Sequence, residues 1–115
     1  MKAIIYHNPR CSKSRGALEL LQQNGVTPQV VEYLKTPPDR RTLEELLALL
    51  GIGPRELLRK GEEEYSALGL DNPTLGHAEL IDAMVAHPKL IERPIVVVGN
   101  KAIIGRPPEK ILELL

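Results

Sequence analysis

The sequence predicts an α/β fold: a four-stranded mixed sheet with a helical insertion between its β-α-β and β-β-α halves. Three observations lead to it. A short apolar run, Ala3 to Tyr6, is followed by an amphipathic stretch and then a second β-rich run. Pro94 to Val98 is an uninterrupted β-branched segment that enters a two-residue turn, Gly99-Asn100. Between them, residues 35–92 carry several helical segments and no strand pattern.

Ala3 to Tyr6 reads as a buried strand closed by the turn Asn8-Pro9. From Ser12 to Gln23, Ala17, Leu18, Leu20 and Leu21 make an apolar helical stripe. Ser12 is one candidate cap, and Asn24-Gly25 is the stop. Gln29 to Tyr33, with Val30 and Val31, is the second strand. A helix joins the two strands, so they are expected to run parallel with a right-handed crossover. In the insertion, Thr42 and Glu45 have capping-box spacing. Leu43, Leu46, Leu47 and Leu50 then fall on one helical face, and Gly51 ends the helix. Gly53-Pro54 opens a shorter helix expected to run to Arg59-Lys60. Residues 61–75 read as irregular, with Glu62-Glu63-Glu64 a solvated run. His77 to Ala86 is a further helix, closed by His87-Pro88. Gly99-Asn100 turns the chain back into Ala102 to Ile104 with type II′ chemistry. A terminal helix is expected from Pro107, with Ile111, Leu112, Leu114 and Leu115 apolar.

The 115 residues suffice for one domain, read as spanning 1–115, with a modest core. Trp and Phe are absent, so Leu, Ile, Val and Ala must build that core. Basic and acidic residues balance at 15 each, which gives no footprint for nucleic acid. The apolar run at the N-terminus is too short for a signal peptide or a membrane span. A single cysteine excludes an internal disulfide and fits a reducing compartment, so the expected location is cytoplasmic. No bound cofactor or metal is expected, because His77 and His87 lack metal-ligand spacing. A monomer is the default.

That cysteine sits in Tyr6-His7-Asn8-Pro9-Arg10-Cys11-Ser12-Lys13-Ser14-Arg15, between the first strand and the first helix. There a thiol meets the positive end of a helix and several basic side chains, both of which favour the nucleophilic thiolate. A free thiol of pKa ~8.5 is only about 3% ionised at pH 7. With no second cysteine in the chain, an outside thiol must complete any reaction that Cys11 begins. Ser14 completes a CxxS pattern; its hydroxyl has two readings, a hydrogen bond to the thiolate or a cap on the helix.

The element order is that of a thioredoxin/glutaredoxin-like fold with extra helices between its halves. In that layout the loop before the third strand, here Glu92-Arg93-Pro94, faces the reactive cysteine, and its proline is cis. The residues also resemble a known family, the glutaredoxin-dependent arsenate reductases of the ArsC class. The resemblance rests on Tyr6-His7-Asn8-Pro9 with Cys11, Tyr33-Leu34 with Thr36-Pro37-Pro38, Leu57-Leu58-Arg59-Lys60, Leu80-Ile81 with His87-Pro88, Arg93-Pro94-Ile95-Val96-Val97, and Arg106-Pro107. It implies that Cys11 attacks the arsenic of arsenate, that glutathione serves as co-substrate, and that glutaredoxin is the electron donor. It assigns the oxyanion to Arg59, Arg93 and Arg106, and support of the ionised cysteine to His7. Guanidinium groups suit a tetrahedral oxyanion, because they bind its oxygens by charge-assisted hydrogen bonds and neutralise charge that would repel a thiolate. Well-studied members carry small residues beside the cysteine, whereas this chain has Arg10 and Lys13. Two other readings stand beside this one. CxxS suggests a glutathione-dependent reductase of mixed disulfides. The family also resembles Spx-type regulators of RNA polymerase, whose CxxC switch cannot form with serine at position 14.

Overall fold

In the computed structural model, which describes residues 2–115, the chain forms two compact units. One combines the segment ending at Thr36 with Arg93–Leu115; the other is Pro37–Glu92, the helical insertion.

The first unit holds the sheet. Strands β1 (Ala3–His7), β2 (Gln29–Glu32), β3 (Ile95–Val98) and β4 (Lys101–Ile104) lie in the order β2-β1-β3-β4. β1 and β2 are parallel, while β3 is antiparallel to both β1 and β4. This is the mixed, thioredoxin-like arrangement the element order predicts. Helix α1 (Ser12–Gln23) makes the crossover. The turn after β3 has Gly99 at φ +63° and no positive φ at Asn100, as a type II′ hairpin requires.

Side-chain alternation decides what faces α1. Ala3 and Ile5 of β1 share a face with Val96 and Val98 of β3, and these four bury with Ala17 and Leu21 of α1 and with Ile111. His7, two residues beyond Ile5, is 6% exposed on that same face. All four residues of β3 are buried, which explains the unbroken Ile-Val-Val-Val run of a central strand.

The terminal segment differs from expectation. Pro108–Leu114 is a 3-10 helix. Three residues per turn align Pro108, Ile111 and Leu114 on one line. Ile111 is fully buried and Leu114 packs on the core, whereas Leu112 and Leu115 remain exposed. Pro108 lies close to Gly16 of α1.

The second unit contains α2 (Arg40–Leu50), α3 (Pro54–Leu57), α4 (Glu63–Ala67) and α5 (His77–Ala86). Leu43, Leu46 and Leu47 of α2 are buried, as are Leu80, Ile81 and Met84 of α5. His77 Nε2 lies 2.6 Å from Glu44, and Arg40 pairs with Asp82, so polar contacts also join these helices.

Three expectations fail here. The cap of α2 is Asp39, whose carboxylate accepts from the Thr42 amide at 2.8 Å; Glu45 instead pairs with Arg41. Helix α3 stops at Leu57 and does not reach Lys60. Leu58 bridges to Ile91, the Arg59 amide donates to Leu90 O at 2.7 Å, and the Glu92 amide donates to Leu57 O at 2.9 Å. Backbone groups that would extend the helix are thereby committed to an antiparallel bridge. Residues 61–75 are also not wholly irregular, since α4 forms around the buried Tyr65.

Candidate active site

Strand pairing brings three loops to one edge of the sheet. Tyr6 is paired with Ile95, so the turn after β1 lies beside Arg93-Pro94. Ile95 is paired with Ile104, which sets Gly105-Arg106 beside the same dipeptide. The Gly105 amide donates to Pro94 O at 2.8 Å, and Arg106 Nη1 donates to Arg93 O at 3.1 Å. Arg93-Pro94 is cis, as the layout implies; Arg106-Pro107 is cis as well.

Asn8 organises the first loop. Its carbonyl accepts from the Cys11 amide and its side-chain oxygen from the Arg10 amide, both at 3.0 Å. Arg15 reaches back from α1 to Pro9 O at 2.9 Å. The turn delivers Cys11 to the N-cap position of α1, ahead of both candidate caps, Ser12 and Ser14. A side chain at that position faces the free amides of the first helical turn. The half-buried Cys11 sulfur meets the amides of Ser14 and Lys13 and the side chain of Arg93. Burial alone pushes this thiol up. The Ser14 amide, the Arg93 guanidinium and the Lys13 amide oppose it, and the balance lies below the ordinary thiol value.

Ser14 is fully buried, and its hydroxyl does not serve the sulfur. It lies 2.6 Å from His7 Nδ1 and accepts from the Asn8 amide at 3.0 Å. The serine therefore reaches Cys11 through its backbone and His7 through its side chain. Burial lowers the His7 pKa; Glu32 opposes that effect and Arg15 adds to it, leaving the imidazole below the ordinary value. His7 is thus predominantly neutral at pH 7, and its contact on this side is the Ser14 hydroxyl, not the sulfur.

Cys11, His7, Ser14, Arg93 and Arg106 all belong to the first unit. Arg59 belongs to the second, where Glu62 and Glu92 lie 3.4 and 3.8 Å from its Nε. Its Nη1 is buried without a hydrogen-bond partner, a donor in want of an acceptor. Glu62 is accordingly an ion-pair partner and not part of a solvated run. Among the described residues no cluster of His, Cys, Asp or Glu is suited to a metal ion, and no helix is long and apolar enough to cross a membrane.

The family model described as the ArsC family matches residues 6–114. The chain belongs to the ArsC family. Within it, the chain is 57% identical to the uncharacterized protein YfgD of Escherichia coli K12, over 96% of this chain and 94% of that one. It is 48% identical to the arsenate reductase of Neisseria meningitidis serogroup A, over 96% of each chain. The solved structure of an arsenate reductase from Vibrio cholerae superposes with a TM-score of 0.97 at 49% identity, covering 100% of this chain and 98% of that one. The ArsC match and the thioredoxin-like sheet agree with the resemblance carried by the Cys11 turn, Arg93-Pro94 and Arg106-Pro107.

Proposed function

We propose that this protein reduces arsenate to arsenite, with Cys11 as the attacking thiolate. One observation carries the reading: Cys11 holds the N-cap position of α1, and its sulfur faces the Arg93 guanidinium. A thiolate so placed is nucleophilic and lies beside a cation able to hold the oxyanion it attacks. Relatives named arsenate reductase, similar over nearly the whole chain, supply the substrate.

Cys11 attacks arsenic and displaces one oxygen as water, forming a sulfur–arsenic(V) bond. Glutathione adds next, displacing a second oxygen. The thiolate of glutaredoxin then attacks the glutathione sulfur. That sulfur–arsenic bond breaks, its electron pair stays on arsenic, and glutaredoxin and glutathione leave as a mixed disulfide. Arsenic gains two electrons, and the two outside thiols lose them. Water releases arsenite from Cys11 and restores the thiol. Arg93 and Arg106 are proposed to hold the oxyanion from the unit that carries Cys11. For Arg59, a share in holding the oxyanion is proposed on the strength of the family resemblance alone.

The test is arsenate reduction coupled to glutathione and glutaredoxin, by the wild type and by Cys11→Ser. Turnover by the wild type alone supports the reading. No excess over the variant removes it, and reduction of a glutathionylated peptide in its place would reassign the protein to mixed disulfides.

A further inference from the structure

Beside the Cys11 turn lies a cleft of about 270 Å³ whose walls include Pro9, Arg10, Glu32, Leu34 and Lys35, with His7 at one side. Topology explains its position. β1 and β2 are parallel and His7 is paired with Glu32, so the loops leaving both strands emerge at the same sheet edge. Open α/β sheets bind ligands outside such carboxyl ends. One wall is the turn that ends in Cys11, and Arg10 is its covalent neighbour. The opposite wall is the segment following β2.

The cleft carries more charge than a thiolate alone requires. Arg10 and Lys35 are exposed cations, and Glu32, the last residue of β2, has its carboxylate 3.5 Å from Lys35. Pro9 and the 40%-exposed Leu34 supply apolar surface. Two cations, one carboxylate and a small apolar floor complement a short peptide with two carboxylates and one ammonium. The lone cysteine means that a second thiol must arrive at this turn from outside. We infer that the cleft between His7–Arg10 and Glu32–Lys35 binds the resolving thiol, a small dicarboxylate peptide thiol such as glutathione, with Arg10 and Lys35 on its carboxylates and Glu32 on its ammonium. This inference rests on the proposed function, which calls for such a thiol. It adds the thiol's binding place: on the β2 side of the turn, away from the Arg93 and Arg106 loops on the β3 side.

The probe is S-methylglutathione, which cannot react, titrated into the 15N-labelled protein without arsenate. Saturable shifts are expected at the amides of Arg10, Glu32, Leu34 and Lys35. Lys35→Glu should weaken binding by roughly three- to tenfold, the scale of an exposed charge reversal. Lys110→Glu, in the terminal 3-10 helix, changes net charge equally and should leave the affinity as it was. No saturable binding, shifts confined to another face, or an equal loss with Lys110→Glu would each overturn the assignment. Because arsenate is absent, the two readings fail separately. Cleft binding without arsenate turnover removes only the substrate, and turnover without cleft binding removes only the cleft.

Discussion

The Ser14 hydroxyl lies 2.6 Å from His7 Nδ1, and both residues are buried between the sheet and α1. The same oxygen accepts from the Asn8 amide. One hydroxyl therefore ties the end of β1, the Cys11 turn and the first helical turn together. Ser14→Ala leaves two buried polar groups without this partner, which should cost about 1–3 kcal/mol. Urea unfolding monitored by circular dichroism measures the loss. The thiol titration should move little in this variant, since the Ser14 amide remains. A large upward shift with unchanged stability would show that the hydroxyl serves the sulfur after all.

Arg93 is the side chain that meets the sulfur directly. Arg93→Ala should therefore raise the Cys11 pKa, moving the ultraviolet absorbance of the thiolate to higher pH. Arg106→Ala should shift it less, because the Arg106 guanidinium is bonded to the Arg93 carbonyl. Equal shifts in both variants would mean that a diffuse positive potential, and not the Arg93 contact, holds the thiol down.

Burial of His7 makes acid conditions costly. Its folded pKa lies below the ordinary value of 6.5, so the unfolded chain binds the proton more tightly. The stability contributed by neutral His7 is complete above that ordinary value and is lost as pH falls through the folded one. Melting temperatures from about pH 8 to about pH 5 should therefore drop further in the wild type than in His7→Gln. The difference between the two curves isolates His7 from His77 and His87. Parallel curves would contradict a buried, neutral imidazole.

The sequence revealed the sheet more readily than the site. Short apolar runs and the Gly99-Asn100 turn are local signals, and they placed β1, β3 and β4 to within a residue or two. What Ser14 does depends on α1 lying on the sheet, yet a trace was present in the sequence. Ser14, Ala17 and Leu21 fall at i, i+3 and i+7, the spacing of an inward face, and His7 shares a strand face with Ala3 and Ile5. Only docking of the two faces makes them partners. Arg59 was legible as a residue and not as a structure, because the bridge from Leu58 to Ile91 pairs segments far apart in the chain.

Capping shows the same limit. The sequence points to Thr42 with Glu45, yet the cap is Asp39, whose carboxylate reaches the Thr42 amide. Asp39→Ala should lower the unfolding midpoint. Glu45→Ala should barely change it, because its pair with Arg41 is exposed. The reverse ranking would restore the capping box read from the sequence.

Gly105 joins packing to chemistry. A Cβ at this position would stand 3.0 Å from Pro94 Cγ, 3.2 Å from Ile111 Cγ2 and 3.5 Å from Ala17 Cβ. Those neighbours belong to the loop that presents Arg93, the terminal 3-10 helix and α1, and none has a flexible end that can swing away. Gly105→Ala must displace backbone or core, at a cost of about 1–3 kcal/mol typical of overpacking. The Gly105 amide also holds Pro94 O, so the easiest yielding direction carries Arg93 with it. The variant should lose stability in urea and also show a raised Cys11 pKa, although residue 105 bears no charge. Gly16→Ala meets only Pro108, at 3.4 Å and 3.6 Å, and provides the comparison: a smaller loss of stability with the thiol titration in place. A stability loss in Gly105→Ala without any change in the thiol would show that Arg93 is held independently of this contact.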